Sequence, residues 1–313
     1  MKLDKFVIAI IIAVAVAYLY PEAINVLPLN TISSIGVSLI FFFYGLKLNL
    51  TQIKEGLKNW KLHLLIQAST FLVFPLVVLC ALPVIPETSK NLWLAFLFLA
   101  ALPSTVSSSV VMVSIAKGNI PAAIFNASIS GLIGIVITPI WMGLFLNNTS
   151  TDYNLTEVYQ KLLLEILAPV FLGLIFNKYL GAFAQKHKNY LTLFDKSIIL
   201  IIIYKSFSKS FIDGIFNNLT IIELLLILCV SVALFFIVFQ VIKFISKTLH
   251  FSIEDRITAQ FCGTKKSLVH GTVFSKILFQ NASFLGIILL PVMLFHAFQI
   301  LATSIMATKY AKR

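Results

Sequence analysis

Ten apolar runs, each about long enough to cross a bilayer, leave this chain almost no alternative to a bundle of membrane helices. They fall at 4–20, 32–47, 61–83, 91–117, 120–146, 158–180, 193–212, 219–246, 254–277 and 280–307. A run of about 20 apolar residues spans the hydrocarbon core as an α-helix. Helices keep their backbone hydrogen bonds internal, as lipid requires. A barrel would need short alternating strands, and these runs are continuous. Charged residues make up 12% of the 313 residues, about half the share of a soluble domain. The first run, "FVIAIIIAVAVAYLY", ends in "YPE" without a small-residue cleavage site, so it reads as a retained span.

The net charge of +12 does not point to nucleic acid, because the lysines lie between apolar runs instead of clustering on polar faces. The expected partner there is the lipid bilayer. With the N-terminus in the cytoplasm, 16 lysines and arginines fall on the cytoplasmic side. Five fall outside: Lys90, Lys161, Lys205, Lys209 and Lys276. Lys196, Lys265 and Lys266 fall inside spans. This bias follows the positive-inside rule and predicts an even number of spans, with both termini in the cytoplasm. The cysteines Cys80, Cys229 and Cys262 show no metal-ligand or CxxC spacing. No HExxH motif, nucleophile elbow or P-loop is present, so neither an enzyme nor a bound metal or cofactor is expected.

Two polar interruptions break the apolar pattern. "LPSTVSSS" (102–109) sits in the fourth run and "FCGTKKS" (261–267) in the ninth. A lysine at bilayer depth costs at least about 2.5–3.5 kcal/mol, and the ninth run carries two, Lys265 and Lys266. The two stretches stand 158 residues apart. At the same offset Gly56 matches Gly214, Asn59 matches Asn217, Ser104 matches Cys262 and Ser109 matches Ser267. Five spans per repeat is odd, so the second half must insert upside down. Paired interrupted helices in inverted repeats point to a transporter binding site. Pro103 removes a backbone donor and Gly263 relaxes the backbone. The freed N–H and C=O groups, with the hydroxyls of Ser104, Thr105, Ser107, Ser108 and Ser109, can then serve a ligand. Small residues at such positions also serve plain helix packing.

The segments "GLKLNLTQIKEGLKNWKLHLLIQASTFLVFP" (45–75), "LPSTVSSSVVMVSIAKGNIPAAIFNASISGLIGIVITP" (102–139) and "CGTKKSLVHG" (262–271) resemble the bile acid:sodium symporter superfamily. Within it they resemble the SBF-like branch, which holds the YfeH-type bacterial proteins and the orphan seventh vertebrate member. The resemblance covers essentially the whole chain. It implies an all-α polytopic membrane protein of ten transmembrane helices, with inverted five-helix repeats over 1–155 and 156–313. It further implies a panel of helices 1, 2, 6 and 7 and a core of helices 3, 4, 5, 8, 9 and 10. Broken helices 4 and 9 would cross in the core, with substrate bound between core and panel. Well-studied relatives carry organic anions with sodium. The setting implied is a bacterial plasma membrane.

The chain departs from the sodium pattern of that family. The glutamate that sodium-coupled relatives carry ahead of the span-9 glycine falls on Phe261, and the glutamine after it falls on Lys265. The span-5 hydroxyl ligands fall on Ala123 and Ala127. The expectation is therefore that the ammonium of Lys265 or Lys266 stands where relatives hold sodium, partnered by serine hydroxyls and broken-helix carbonyls. Which of the two faces the crossing stays open, with position in the motif favouring Lys265. A buried amine could also release and rebind a proton, and His270 lies about one turn further on, so proton coupling is open and sodium coupling doubtful. Gly263, Thr264, Ser267, Asn126 and Gln67 complete the expected site. Asn126 shares a face with Ser130. The function expected is a secondary active transporter of a small organic anion, working by alternating access. A non-transporting membrane sensor and a conventional sodium symporter with a rearranged site are the alternatives. Substrate, flux direction and oligomeric state have no signature in the sequence.

Overall fold

The computed structural model describes residues 5–25, 28–48, 59–84, 86, 89–105, 107–146, 155–214, 216–217, 220–279 and 284–312. Its described residues are helical, without strands. In chain order they form α1 (Lys5–Leu19), α2 (Leu29–Lys47), α3 (Trp60–Leu79), α4 (Lys90–Ala101), α5 (Ser107–Ile115) and α6 (Ile120–Leu146). These are followed by α7 (155–186), α8 (Lys188–Ile212), α9 (Ile221–Thr248), α10 (Ile253–Gly263), α11 (Leu268–Leu278) and α12 (Leu285–Ala311). Six of these helices are long and apolar enough to cross a membrane: α2, α3, α6, α7, α9 and α12. Phe6–Leu19 and Lys90–Ala101 are shorter apolar helices. Large apolar side chains such as Ile221, Ile222, Phe244 and Leu164 stand exposed, as expected where the solvent is lipid.

The runs expected at 91–117 and 254–277 each appear as two helices, α4 with α5 and α10 with α11. α3 and α7 each carry a π turn, at Ser69–Val73 and Leu163–Leu167. Gly56, part of the first repeat match, lies outside the described residues; its counterpart Gly214 has φ +66 just after α8, a conformation that glycine adopts at little cost.

The chain groups into two compact units. The first comprises Met1–Leu48, Asn147–Leu219 and Thr272–Leu289. In it α2 packs along α7, and α1 packs on α8. The α2–α7 contact rests on glycine: a Cβ on Gly45 would strike the Val170 carbonyl, and one on Gly173 would strike the Phe42 carbonyl. Small residues at such positions let membrane helices approach backbone to backbone. Lys47 and Asp195 form an ion pair at 3.4 Å.

The second unit comprises Asn49–Leu146, Thr220–Gly271 and Leu290–Arg313. Here α10 packs against α3, α5, α6 and α9. α4 is buried around its circumference, with every residue from Trp93 to Ala101 inside, which fits its uninterrupted apolar sequence. α9 opens with a capping box, Thr220 and Glu223 each satisfying the other's backbone N–H. The Asp255 carboxylate accepts from Asn59 Nδ2 at 2.9 Å and Asn119 Nδ2 at 2.8 Å, tying the starts of α3 and α6 to α10.

Candidate functional site

Pro103 ends α4. The residue before a proline avoids the helical region, and Leu102 accordingly sits at φ −68, ψ 149. Ending a helix strands its last carbonyls, and several around this break find partners. Ala101 O accepts from Thr138 Oγ1 at 2.7 Å. Pro103 O accepts from the Ser267 N–H at 2.9 Å. Ala100 O and Leu102 O accept from Lys266 Nζ at 2.6 and 2.8 Å.

The second break answers the first. Cys262 O accepts from Ser104 Oγ at 2.6 Å, and Thr264 Oγ1 donates back to Gln260 O at 2.6 Å. Gly263 closes α10 with Ile242 Cδ1 2.9 Å from where a Cβ would stand. The Ser104 N–H donates to Ser130 Oγ at 3.0 Å, so Ser130, on the face shared with Asn126, supports the first break.

Lys266 lies at the centre of this arrangement, 1% exposed. Its Nζ donates to Thr70 O at 2.7 Å as well as to Ala100 and Leu102. Thr70 belongs to the π turn of α3, where the backbone register shifts. The ammonium also stands 4.2 Å from the centre of the Phe74 ring. All three N–H donors of the ammonium thus have an acceptor. Charge-assisted bonds contribute about 1.5–3 kcal/mol each and a desolvated cation–π contact about 2 kcal/mol. Together they are large enough to offset the insertion cost of a lysine. Gln299 of α12 clamps the same residue's backbone. Its Oε1 accepts from the Lys266 N–H at 2.8 Å and its Nε2 donates to Lys266 O at 2.7 Å.

Lys265 points elsewhere. Its Nζ donates to Ser108 O, in the first turn of α5, at 2.8 Å, and the residue is fully buried. The described bonds of both ammoniums therefore run to backbone carbonyls, not to the serine hydroxyls expected. The carbonyls at the end of α4, beyond the reach of its own ladder, are fixed acceptors for the Lys266 ammonium. The hydroxyls are engaged otherwise: Thr105 Oγ1 lies 2.8 Å from both Ser108 Oγ and Ser109 Oγ. Ser107 opens α5, and its side chain lies outside the described residues. Ser267 Oγ bonds His270 Nδ1 at 2.9 Å.

Gln67 and Asn126 belong to a neighbouring cluster. Gln67 Nε2 donates to Asn126 Oδ1 at 3.1 Å, and Asn126 Nδ2 lies 2.7 Å from His63 Nδ1. None of the hydrogen bonds described for these three reaches either lysine. The sequence reading missed Thr70, whose backbone alone takes part, and the role of Gln299, whose only signal was an amide on a long apolar helix.

A chain whose described residues form helices without strands, six of them long and apolar enough to cross a bilayer, is built as an integral membrane protein. The model of the SBF-like CPA transporter family matches residues 4–312, and the chain belongs to that family. It is 36% identical to an uncharacterized protein of Pseudomonas aeruginosa over 99% of this chain and 93% of the relative. It is 34% identical to YfeH of Escherichia coli, whose name describes a symporter, over 99% and 94%. It is 32% identical to the sodium/bile acid cotransporter 7 of Rattus norvegicus over 97% and 91%. The family is one of transporters, not enzymes.

Proposed function

We propose that the chain is a secondary active transporter of a small organic anion that works by alternating access, with the Lys266 ammonium standing in for the coupling cation. The observation that carries this is the cage of three carbonyls, Thr70, Ala100 and Leu102, around Lys266 Nζ. Carbonyl oxygens are the ligands of hard monovalent cations, and here an ammonium takes them all. Sodium would find its seat occupied. Lys265, with one described acceptor, is the amine left to meet an anionic substrate or exchange a proton.

The reading includes ten spans in two inverted repeats, 1–155 and 156–313, with interrupted helices 4 and 9. The bond between Ser104 and Cys262 supports it, because these residues are counterparts at the 158-residue offset. A residue that bonds its own counterpart lies next to the axis relating the repeats. α1, α2, α7 and α8 share one unit, as a panel of helices 1, 2, 6 and 7 would, and that unit also takes in Thr272–Leu289 from helices 9 and 10. The proposed setting is a bacterial plasma membrane, with both termini in the cytoplasm.

The test is thermal unfolding of the purified protein in sodium chloride against choline chloride, for wild type and Lys266→Ala. A cation that binds the folded state raises its stability by mass action. Wild type is expected to respond alike to both salts, and Lys266→Ala, with its carbonyls vacated, to gain a specific response to sodium. Strong stabilisation of wild type by sodium over choline would overturn the built-in cation.

A further inference from the structure

The π turn of α3 runs into a proline, and together they remove backbone donors at one place. In an α-helical ladder the Thr70 carbonyl would accept from the N–H four positions on, that of Phe74. Here the Phe74 N–H donates to Ser69 O instead. The donor that a π register would offer Thr70 O is the next N–H along, and Pro75 has none. The same proline is the missing four-position donor of Phe71 O. Buried backbone oxygens are nearly always paired, and in lipid no water makes up the loss.

Both oxygens are served from other helices of the same unit. Trp141 Nε1 of α6 donates to Phe71 O at 2.8 Å, and Lys266 Nζ donates to Thr70 O at 2.7 Å. Phe74 and Pro75 are buried beside them. The pairing of π turn and proline recurs in α7, where the Ala168 N–H donates to Leu163 O and Pro169 follows at the same spacing. The converse fails: Pro139 and Pro291 lie inside α6 and α12, whose described residues show no π turn. A proline therefore does not impose a π turn by itself. In α3 the two coincide, and the result is a pair of carbonyls reserved for donors outside the helix.

We propose that Pro75 is a positioning residue for the polar centre: with the π turn it withholds the ladder donors of Thr70 O and Phe71 O, so that Lys266 and Trp141 take these oxygens. An uninterrupted α ladder would commit Thr70 O to the Phe74 N–H and leave the ammonium two carbonyls, those of Ala100 and Leu102. This role in shaping the cage is independent of whether the cage replaces a coupling cation.

The test is thermal unfolding of the purified full chain in two double-mutant cycles. In the first, Pro75→Ala is made in wild type and in Lys266→Met. Alanine at this position restores an N–H, and the ladder can reclaim both oxygens. With Lys266 present that ladder competes with the ammonium, and the Tm is expected to stay level or fall. Without Lys266 it serves an orphaned carbonyl, and the Tm of Lys266→Met is expected to rise by about 2–4 °C. The second cycle pairs Pro75→Ala with Trp141→Phe, a milder change that removes the indole donor and keeps a ring, and the same rescue is expected. If Pro75→Ala raises the Tm of Lys266→Met no more than that of wild type, Pro75 is ordinary helix punctuation and the proposal is overturned. Should Lys266→Met yield no folded protein, the Trp141 cycle decides by the same comparison.

Discussion

At the helix breaks of the second unit, Lys266 directs each ammonium proton to a backbone carbonyl and lays its charge against the Phe74 ring. Around a cavity in the first unit, Lys205 and Lys276 are steadied by Asn30, Ser34 and Glu165, and Lys209 lines the same space. The first arrangement satisfies a charge inside the protein; the second gathers charge around a void. A lysine in a membrane protein is therefore read by what its nitrogen faces. Saturated by fixed dipoles, it acts as part of the scaffold. Grouped with its like around a cavity, it leaves its charge facing open space.

The contrast is most directly broken at Lys266. Lys266→Met leaves three buried carbonyls without their donor, at about 1–3 kcal/mol each. The expected loss of several kcal/mol lowers the Tm by on the order of 10 °C. A Tm within about 2 °C of wild type would show that the cage is not part of the scaffold. Lys265→Met removes one hydrogen bond, that to Ser108 O, and should cost about 1–2 kcal/mol. Its larger effect is expected on uptake of labelled organic anions into proteoliposomes. A stability loss as large as that of Lys266→Met, with uptake intact, would put both lysines in the scaffold.

The smallest expected effect on stability is at Lys209, where Lys209→Gln should stay within about 0.5 kcal/mol of wild type. Salt sharpens the difference. Raising sodium chloride from about 0.1 M to about 1 M shortens the Debye length from about 10 Å to about 3 Å. Any Tm difference between wild type and Lys209→Gln should then narrow, while the Tm gap between wild type and Lys266→Met stays unchanged. A gap that shrinks in parallel would mean that the two lysine groups are equally open to solvent.

What the sequence made legible follows from the range of each interaction. Pro103 and Gly263 act on their own neighbours, so both breaks could be read from the chain, as could two lysines too deep to be incidental. The partners of those lysines could not. Thr70 contributes a backbone oxygen, and "STFLV" gives no sign of a π turn. Gln299 lies 33 positions beyond Lys266, and an amide on an apolar helix has no readable address. Ser108 was expected to offer its hydroxyl and offers its carbonyl instead, because side-chain chemistry is printed in the sequence and backbone geometry is not. The lysines of the cavity were counted one by one as signals of orientation. Their convergence is tertiary and left no local trace.

The contact of Gly45 with Gly173 bears on how the first unit can move. At the glycines the two backbones touch, and Asn177 Nδ2, donating to Leu46 O and Leu48 O, pins the end of α2 to the same register. Membrane helices that shift past each other need side chains able to interlock in more than one register. This pair has a single seating, and a methyl group on either glycine would unseat it. Whatever rearrangement accompanies transport, α2 and α7 should travel through it as one piece, a weld in a protein otherwise built from interlocking parts.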